Sequence, residues 1–449
     1  MEADPVVIVG AGPAGLTAAL ELAVRGEPPL VLERASCVGG MARTEVHEGY
    51  RFDIGGHRFF TRMPEIQRLW EEALPGAFPS VSRLSRICFE GRFIRYPIEI
   101  GDVLRAVGPA EGARMIAGYL RARFRPRGDE KTFDTWVSSR FGDRLYERFF
   151  KGYTEKVWGV PCDRLGADLA AERIQGLSLA SALWSAMTGR RRLKTLTDRF
   201  HYPRRGPGMM WEAFSRRVEA LGGEVCLNSP VVRLRLEGKA VRAVIVRRGD
   251  REEEIPVSRV LTGMPLRDLV RRIDPAPPLE VMRAAARLVY RDFILAGLVV
   301  DRKDLFPDQW IYVHSPEVAV GRIQNFKNWS RDMVPDPDMT SLGMEFFCSR
   351  GDGLWERTDE ALVDLAARDL ERLGLAERSE VVRSAVFRQT EAYPVYLMDT
   401  PAHVETLRGF LSRIPNLQTM GRNGLHRYDN QDSAMVTGIR AARRGRAGG

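Results

Sequence analysis

Residues 6–24 read VVIVGAGPAGLTAALELAV, and this stretch decides the fold. Its first four residues are all apolar, the pattern of a short strand buried on both faces. The GAGPAG that follows spaces its glycines as a tight strand-to-helix turn requires. Gly10 permits the turn, Gly12 lets the main chain approach a pyrophosphate, and Gly15 allows helix and strand to pack closely. The start of the helix adds free N–H groups that favour an anion. The stretch therefore predicts a Rossmann-type cradle for a dinucleotide.

Downstream, Leu30-Val31-Leu32 predicts a second buried strand ending in Glu33. A carboxylate there accepts hydrogen bonds from ribose hydroxyls and favours a free ribose over a 2′-phosphate. Next comes Gly39-Gly40-Met41-Ala42-Arg43-Thr44, which resembles the second fingerprint of FAD-binding oxidoreductases and points to FAD rather than NAD. FDIGGHRFFT (52–61) then brings Gly56 and His57 to where such a fold passes beside the isoalloxazine. There is no second G-x-G-x-x-G, so reduction by NAD(P)H or exchange with another electron donor or acceptor calls for a transient site.

The chain has 449 residues, too many for one hydrophobic core, and 44% of them are apolar, so two or three folded parts around a cleft are expected. Lys+Arg 68 against Asp+Glu 59 leaves a net charge of +9. That excess suits an anionic small-molecule ligand. The arginines are scattered; the clusters GRRRLKTLTDR (189–199) and ARRGRAGG at the end lack interleaved aromatics, which argues against a nucleic-acid partner. Cys37, Cys88, Cys162, Cys226 and Cys348 are odd in number and include no C-x-x-C, so neither a disulfide framework nor a metal site is indicated, and free thiols in a cytoplasmic protein are expected. No apolar run approaches the roughly 20 residues that span a bilayer.

From about 100 to 200 the pattern is helical, notably in FDTWVSSRFGDRLYERFFKGYTEKVWG (133–159). GPGMMWEAFSRRVEALGGEVCLNSP (206–230) reads as turn, amphipathic helix and strand, and Arg259-Val260-Leu261-Thr262 reads as a return to the nucleotide-binding sheet. FILAGLVVD (293–301), WIYVHS (310–315) and SLGMEFFCS (341–349) predict a separate antiparallel sheet. The expected class is α/β: a discontinuous Rossmann-type FAD domain (1–90, 205–270 and 396–449), a helical insertion (91–204) and an antiparallel-sheet substrate domain (271–395).

Four segments carry a closer resemblance. Lys151-Gly152-Tyr153-Thr154-Glu155-Lys156 with Trp158-Gly159, Gly321-Arg322-Ile323-Gln324-Asn325-Phe326-Lys327, Glu391-Ala392-Tyr393-Pro394-Val395, and GRNGLHRYDNQDSAM (421–435) occur in that order. Together they resemble the UDP-galactopyranose mutases, within the wider amine oxidase and protoporphyrinogen oxidase-like superfamily. The resemblance implies an FAD-dependent enzyme in which N5 of the reduced flavin attacks the anomeric carbon of a nucleotide-linked sugar, isomerising pyranose and furanose forms. It implies catalytic roles for His57, Arg322, Tyr393, Tyr428 and Asn430. Substrate contacts fall to Tyr153, Trp158, Arg173, Arg322, Lys327, Tyr393 and Tyr428. Gly421, Arg422, Asp432, Ser433 and Met435 join the flavin site, with Asp432-Ser433 capping the last helix.

Two positions depart from the family pattern. Leu177 stands where a second arginine follows the one matched by Arg173, and Asn430 stands where the family has an aspartate. Both departures favour the alternative, an amine-oxidase type of oxidoreductase that removes hydride from a C–H bond.

Overall fold

In the computed structural model, residues 4–96, 100–124, 128–173 and 199–444 are described. The run Val6–Val9 is the central strand of a five-stranded parallel sheet. Arg259–Thr262 and then Leu417–Thr419 lie on one side of it, and Leu30–Leu32 and then Glu224–Cys226 on the other. Alternation along these strands sorts the apolar side chains between two cores. Ile8 and Leu261 face the helices Pro13–Val24, Gly208–Ala220 and Gln431–Arg443. Val7, Val9 and Val260 face a four-stranded sheet made of Val231–Glu237, Ala240–Arg248, Arg251–Pro256 and Ile273–Asp274.

A seven-stranded sheet runs in the order Val381–Pro394, Tyr290–Val300, Thr340–Cys348, Arg322–Asn325, Trp310–Val313, Ser85–Phe89 and Arg92–Arg95. Its pairings are antiparallel except that Trp310–Val313 lies parallel to Ser85–Phe89. Both faces are covered, which is why Tyr290–Val300 is almost continuously apolar. Ile294, Ala296 and Leu298 pack toward the helix Asp359–Arg372. Phe293, Leu295 and Val299 share a core with Phe133, Val137, Trp158 and Phe52.

The sequence-based boundaries shift at two places. Ser85–Phe89 and Arg92–Arg95 join the large sheet, although the first lies within the segment assigned to the FAD domain and the second within the helical insertion. That pairing is made across more than 200 residues, so no local pattern announces it. Ile273–Asp274, placed with the substrate sheet from sequence, pairs instead with Val231–Glu237. The described residues between 100 and 173 are mainly helical, including a π-helical turn at Tyr146–Lys151. Leu177 and residues 189–198 of the basic stretch lie outside the described residues.

Among the described residues no helix is long and apolar enough to cross a membrane, no acidic, His or Cys group could hold a metal ion, and all five cysteines are free.

A buried carboxyl sits at the end of the hairpin formed by Thr44–His47 and Tyr50–Asp53, against the return of the chain at Tyr202. Asp53 is hydrogen-bonded by the Tyr202 hydroxyl and, at 2.8 Å, by that of Thr44. Burial pushes its pKa up to about 7, against the pull of these two donors. Its folded-state pKa thus exceeds the unfolded value of 3.8, so the unfolded chain releases this proton first. The contribution of Asp53 to stability should therefore fall as pH rises from about 4 to about 7 and level off above. Asp53→Asn should lack this component when melting temperatures of the two proteins are compared across that range; parallel profiles would refute a protonated Asp53.

Candidate active site

A cleft of about 1280 Å³ runs from the Val9–Gly15 turn to the seven-stranded sheet. This exceeds the roughly 300–1,000 Å³ of a single small-molecule pocket and leaves room for a dinucleotide and a second molecule.

At the nucleotide end, Gly10 takes φ +101°, which brings the chain round into the helix Pro13–Val24. A Cβ at Gly15 would lie 1.8 Å from the Gly10 carbonyl oxygen, so only glycine lets this turn close. A Cβ at Gly12 would meet nothing nearer than Gly40 Cα at 3.9 Å. The protein itself thus leaves open the side of Gly12 that faces the cleft. The turn containing Gly39 and Gly40 rests against this one, with the Gly39 N–H donating to the Ala11 carbonyl at 2.9 Å.

Glu33 is buried and fixes the region: one carboxylate oxygen accepts from the Ala11 N–H at 2.7 Å and the other from the Ala35 N–H at 2.9 Å. Arg43 braces rather than reaches out, donating to Glu45 at 2.6 Å, to the Gly40 carbonyl at 3.0 Å and to Gln389.

Further along, Gly56 lies on the ring of Trp310, where a Cβ would come within 2.4 Å. His57 follows, its Nε2 2.9 Å from the Ile54 carbonyl oxygen. Burial, with the positive charges of Arg422 and Arg322, holds its pKa down at about 4, so the imidazole is neutral at pH 7.

Gly421 and Arg422 start the short helix Gly421–Gly424, separated from the last strand by Met420 alone. Arg422 donates to the Asp429 carbonyl from two nitrogens, at 3.0 and 2.7 Å, and to the Ala392 carbonyl at 3.2 Å. Its guanidinium lies over Tyr428 at 4.5 Å and Tyr393 at 5.6 Å, so it orients both phenols.

The final helix begins two residues earlier than expected. Asn430 occupies the N-cap, Gln431 opens the helix, and Asp432 lines the cleft from the first turn. Asp432 and Ser433 therefore do not cap it; the Ser433 N–H instead donates to Asp432 at 2.8 Å. Neither Ser433 nor Met435 lines the cleft: Met435 is buried against Trp70, whose indole N–H points to its sulfur at 3.0 Å.

On the opposite wall, Arg322 is held by strand register. It pairs with Tyr312 on one neighbouring strand and Glu345 on the other. Its guanidinium forms a 2.7 Å ion pair with Glu345 and donates to the Tyr393 hydroxyl at 2.7 Å. The rings of Phe347, Trp310 and Tyr393 flank it at 4.7, 5.5 and 5.8 Å. Glu345 raises the pKa of the buried guanidinium, which stays charged. Burial pushes the Glu345 carboxyl up, against the opposing pull of Arg322 and a 2.6 Å bond from Gln324.

Tyr393 stacks with Tyr428 at 5.8 Å and meets the edge of Trp158 at 6.3 Å. Tyr153 stacks on His314 at 4.2 Å. Asn430 lines the cleft from an exposed position.

Lys327 is elsewhere: it lies outside the cleft lining, and its ammonium is bound by the carbonyls of Lys303, Pro337 and Met339. Arg173 ends the helix Ala167–Arg173, and its side chain lies outside the described residues.

Sequence reasoning missed Trp310, Tyr312 and His314, which line the cleft together. Their i, i+2, i+4 spacing places them on one face of a strand. Glu345 had no such signal, because cross-strand register is not written in either strand alone.

Several polar atoms of cleft-lining side chains are buried without a partner among the described residues: Trp310 Nε1, His314 Nδ1, Arg322 Nε, Asn423 Oδ1 and both amide atoms of Gln431. Such orphans cost free energy unless a ligand satisfies them. With the glycine turns, Glu33 and the helix start at Pro13, they form a site that fits a flavin dinucleotide lying along the cleft.

The family model for flavin-containing amine oxidoreductases matches residues 13–444. The chain belongs to this family. It is an FAD-binding enzyme. Among curated proteins it is 26% identical over 430 residues to coproporphyrinogen III oxidase of Mycobacterium tuberculosis, covering 91% of this chain and 90% of that protein. It is 28% identical over 178 residues to a probable UDP-galactopyranose mutase of Klebsiella pneumoniae, covering 36% of this chain and 43% of that protein. The crystal structure of a reduced UDP-galactopyranose mutase superposes with a TM-score of 0.86 at 22% identity, covering 98% of this chain and 95% of that one. The α/β fold, with its Rossmann-type sheet and separate antiparallel sheet, is thus that of this family and of the mutase structure.

Proposed function

We propose that this flavoenzyme acts on a nucleotide-linked sugar, in the manner of a UDP-galactopyranose mutase. One observation carries the reading: Arg322, Tyr393 and Tyr428 converge on the cleft wall as a charged guanidinium and two stacked phenols. Departure of a nucleoside diphosphate from an anomeric carbon builds negative charge on the leaving oxygens, and such donors are suited to receive it. The chemistry supplied by bound, reduced FAD is a nucleophilic N5. The residues of this chain would do the rest. Tyr393 donates its hydroxyl proton to a phosphate oxygen while accepting from Arg322. Tyr428, held by Arg422, closes the same wall. Tyr153 and Trp158 offer aromatic surface beside them, and neutral His57 approaches the flavin without adding charge.

A second reading, oxidation of a C–H bond in a small-molecule substrate, is favoured by two observations. Glu345 cancels the charge of Arg322, which weakens its pull on a diphosphate. The matched stretch with coproporphyrinogen III oxidase is also more than twice as long as that with the mutase.

Turnover separates the two. The FAD-loaded protein, reduced with dithionite under anaerobic conditions, should convert UDP-galactopyranose or another nucleotide sugar to a ring isomer resolved by chromatography, whereas the oxidised protein should not. If no nucleotide sugar is converted, and coproporphyrinogen III bleaches the oxidised flavin instead, the mutase reading is lost and the oxidase reading takes its place.

A further inference from the structure

The helix Gly152–Trp158 turns Tyr153, Thr154, Val157 and Trp158 toward the cleft, but Lys156 leaves it on another side. Its ammonium sits among four main-chain carbonyls, those of Val313, Ser315, Val318 and Val320, at 3.3, 2.9, 3.0 and 3.3 Å. An ammonium has only three protons to donate, so four acceptors exceed what hydrogen bonding alone requires. A ring of carbonyl dipoles around one positive charge is how protein main chain coordinates a potassium ion. The acidic or thiol groups facing this ammonium are Asp369, Glu317 and Cys88.

Val313 ends the strand Trp310–Val313, and the other three carbonyls belong to the connection that joins this strand to Arg322–Asn325. Asp369 grips the same connection, accepting from the N–H groups of Ala319 and Val320, both at 2.9 Å. Cleft residues lie at both of its ends. His314 opens it and stacks on Tyr153, which stands three residues before Lys156 on the same helix. Arg322 follows directly after Gly321, where a Cβ would strike the ring of Phe347 at 2.7 Å.

We propose that Lys156 is a positioning residue that serves as a tethered monovalent cation: it organises the 314–321 connection from within, and so sets Arg322 and His314 relative to Tyr153. Alanine at this position empties the ring without changing any residue of the connection, leaving carbonyl groups that can take ammonium or potassium. Methionine keeps the stem, fills the ring and brings no charge.

The test uses the FAD-loaded proteins and hydrogen exchange read by mass spectrometry. In choline chloride, amides of residues 314–322 in Lys156→Ala should exchange about tenfold faster than in the unaltered protein, as for any locally loosened segment. Ammonium, methylammonium or potassium chloride should return protection to Lys156→Ala, while Lys156→Met should not respond. A second readout rests on the nucleotide-sugar reading: UDP should bind Lys156→Ala about ten- to a hundredfold more weakly, the scale of a displaced positioning contact, and the same ions should restore it. Failure of the unaltered protein to bind UDP would count against that reading alone, and the exchange data would still judge Lys156. Unchanged exchange in Lys156→Ala, no recovery in any salt, equal recovery in choline, or a protein unfolded in every salt would each overturn the proposal.

Discussion

Arg322→Met is expected to destabilise the protein by about 3–5 kcal/mol, the usual cost of removing one partner from a buried ion pair. Glu345 is fully buried on the neighbouring strand and has Arg322 as its ion-pair partner. Without the guanidinium its charge has no counterion, and taking up a proton becomes the cheaper alternative. The loss should therefore shrink as pH is lowered toward the raised pKa of Glu345, and Arg322→Met/Glu345→Gln should recover most of it. Urea unfolding of the single and double variants measures the coupling directly. A single variant that loses less than about 1 kcal/mol would mean that the pair behaves like an exposed one. Ligand binding by the double variant is the more informative half. If it regains stability but not affinity for UDP, Arg322 serves the ligand as well as the fold.

The second large effect is expected at the first turn. Gly15→Ala forces a methyl group to within 1.8 Å of the Gly10 carbonyl oxygen, a main-chain atom that cannot step aside. The helix Pro13–Val24 must then move off the sheet, at an overpacking cost of about 1–3 kcal/mol or more. The purified protein should be colourless and melt at a lower temperature. Gly12→Ala makes the contrast. Its methyl group has open space, so stability should stay within about 0.5 kcal/mol of the original. Any loss of FAD from that variant then reports on room taken from the ligand. A yellow Gly15→Ala protein with full flavin content would refute the assignment of the turn.

These two sites also show what could be read in the chain beforehand. The turn at 10–15 is a local device: strand, glycines and helix lie within 20 residues, and each glycine has a steric reason that sequence spacing exposes. Three strands of the seven-stranded sheet are equally plain, because FILAGLVVD, WIYVHS and SLGMEFFCS carry their own patterns. Tyr393 and Tyr428 could be named from motif resemblance, and the structure brings them into one stack.

Lys327 shows the limit of that approach, since spacing from Arg322 says nothing about which side of a strand end a lysine leaves by. Met435 and Ser433 lie off the cleft for a related reason: placing the start of a helix two residues away turns the face assigned to the site by about 200°. Glu345 was illegible altogether. A glutamate within an apolar strand acquires meaning only when the register with Arg322 is known, and register is a property of pairs of segments. The same holds for Ser85–Phe89, whose place beside Trp310–Val313 depends on a partner more than 200 residues away.

The five-stranded sheet takes strands from five separated stretches of chain, the last of them Leu417–Thr419, and the cleft is completed only by residues 421–434. During synthesis the glycine turn near residue 10 leaves the ribosome first and then waits for some 400 residues before its binding partner surface exists. Flavin capture is thus a late event in the life of a nascent chain. Until residue 443 has emerged, the helix that packs on Pro13–Val24 is incomplete, and the apolar face it will cover is left uncovered.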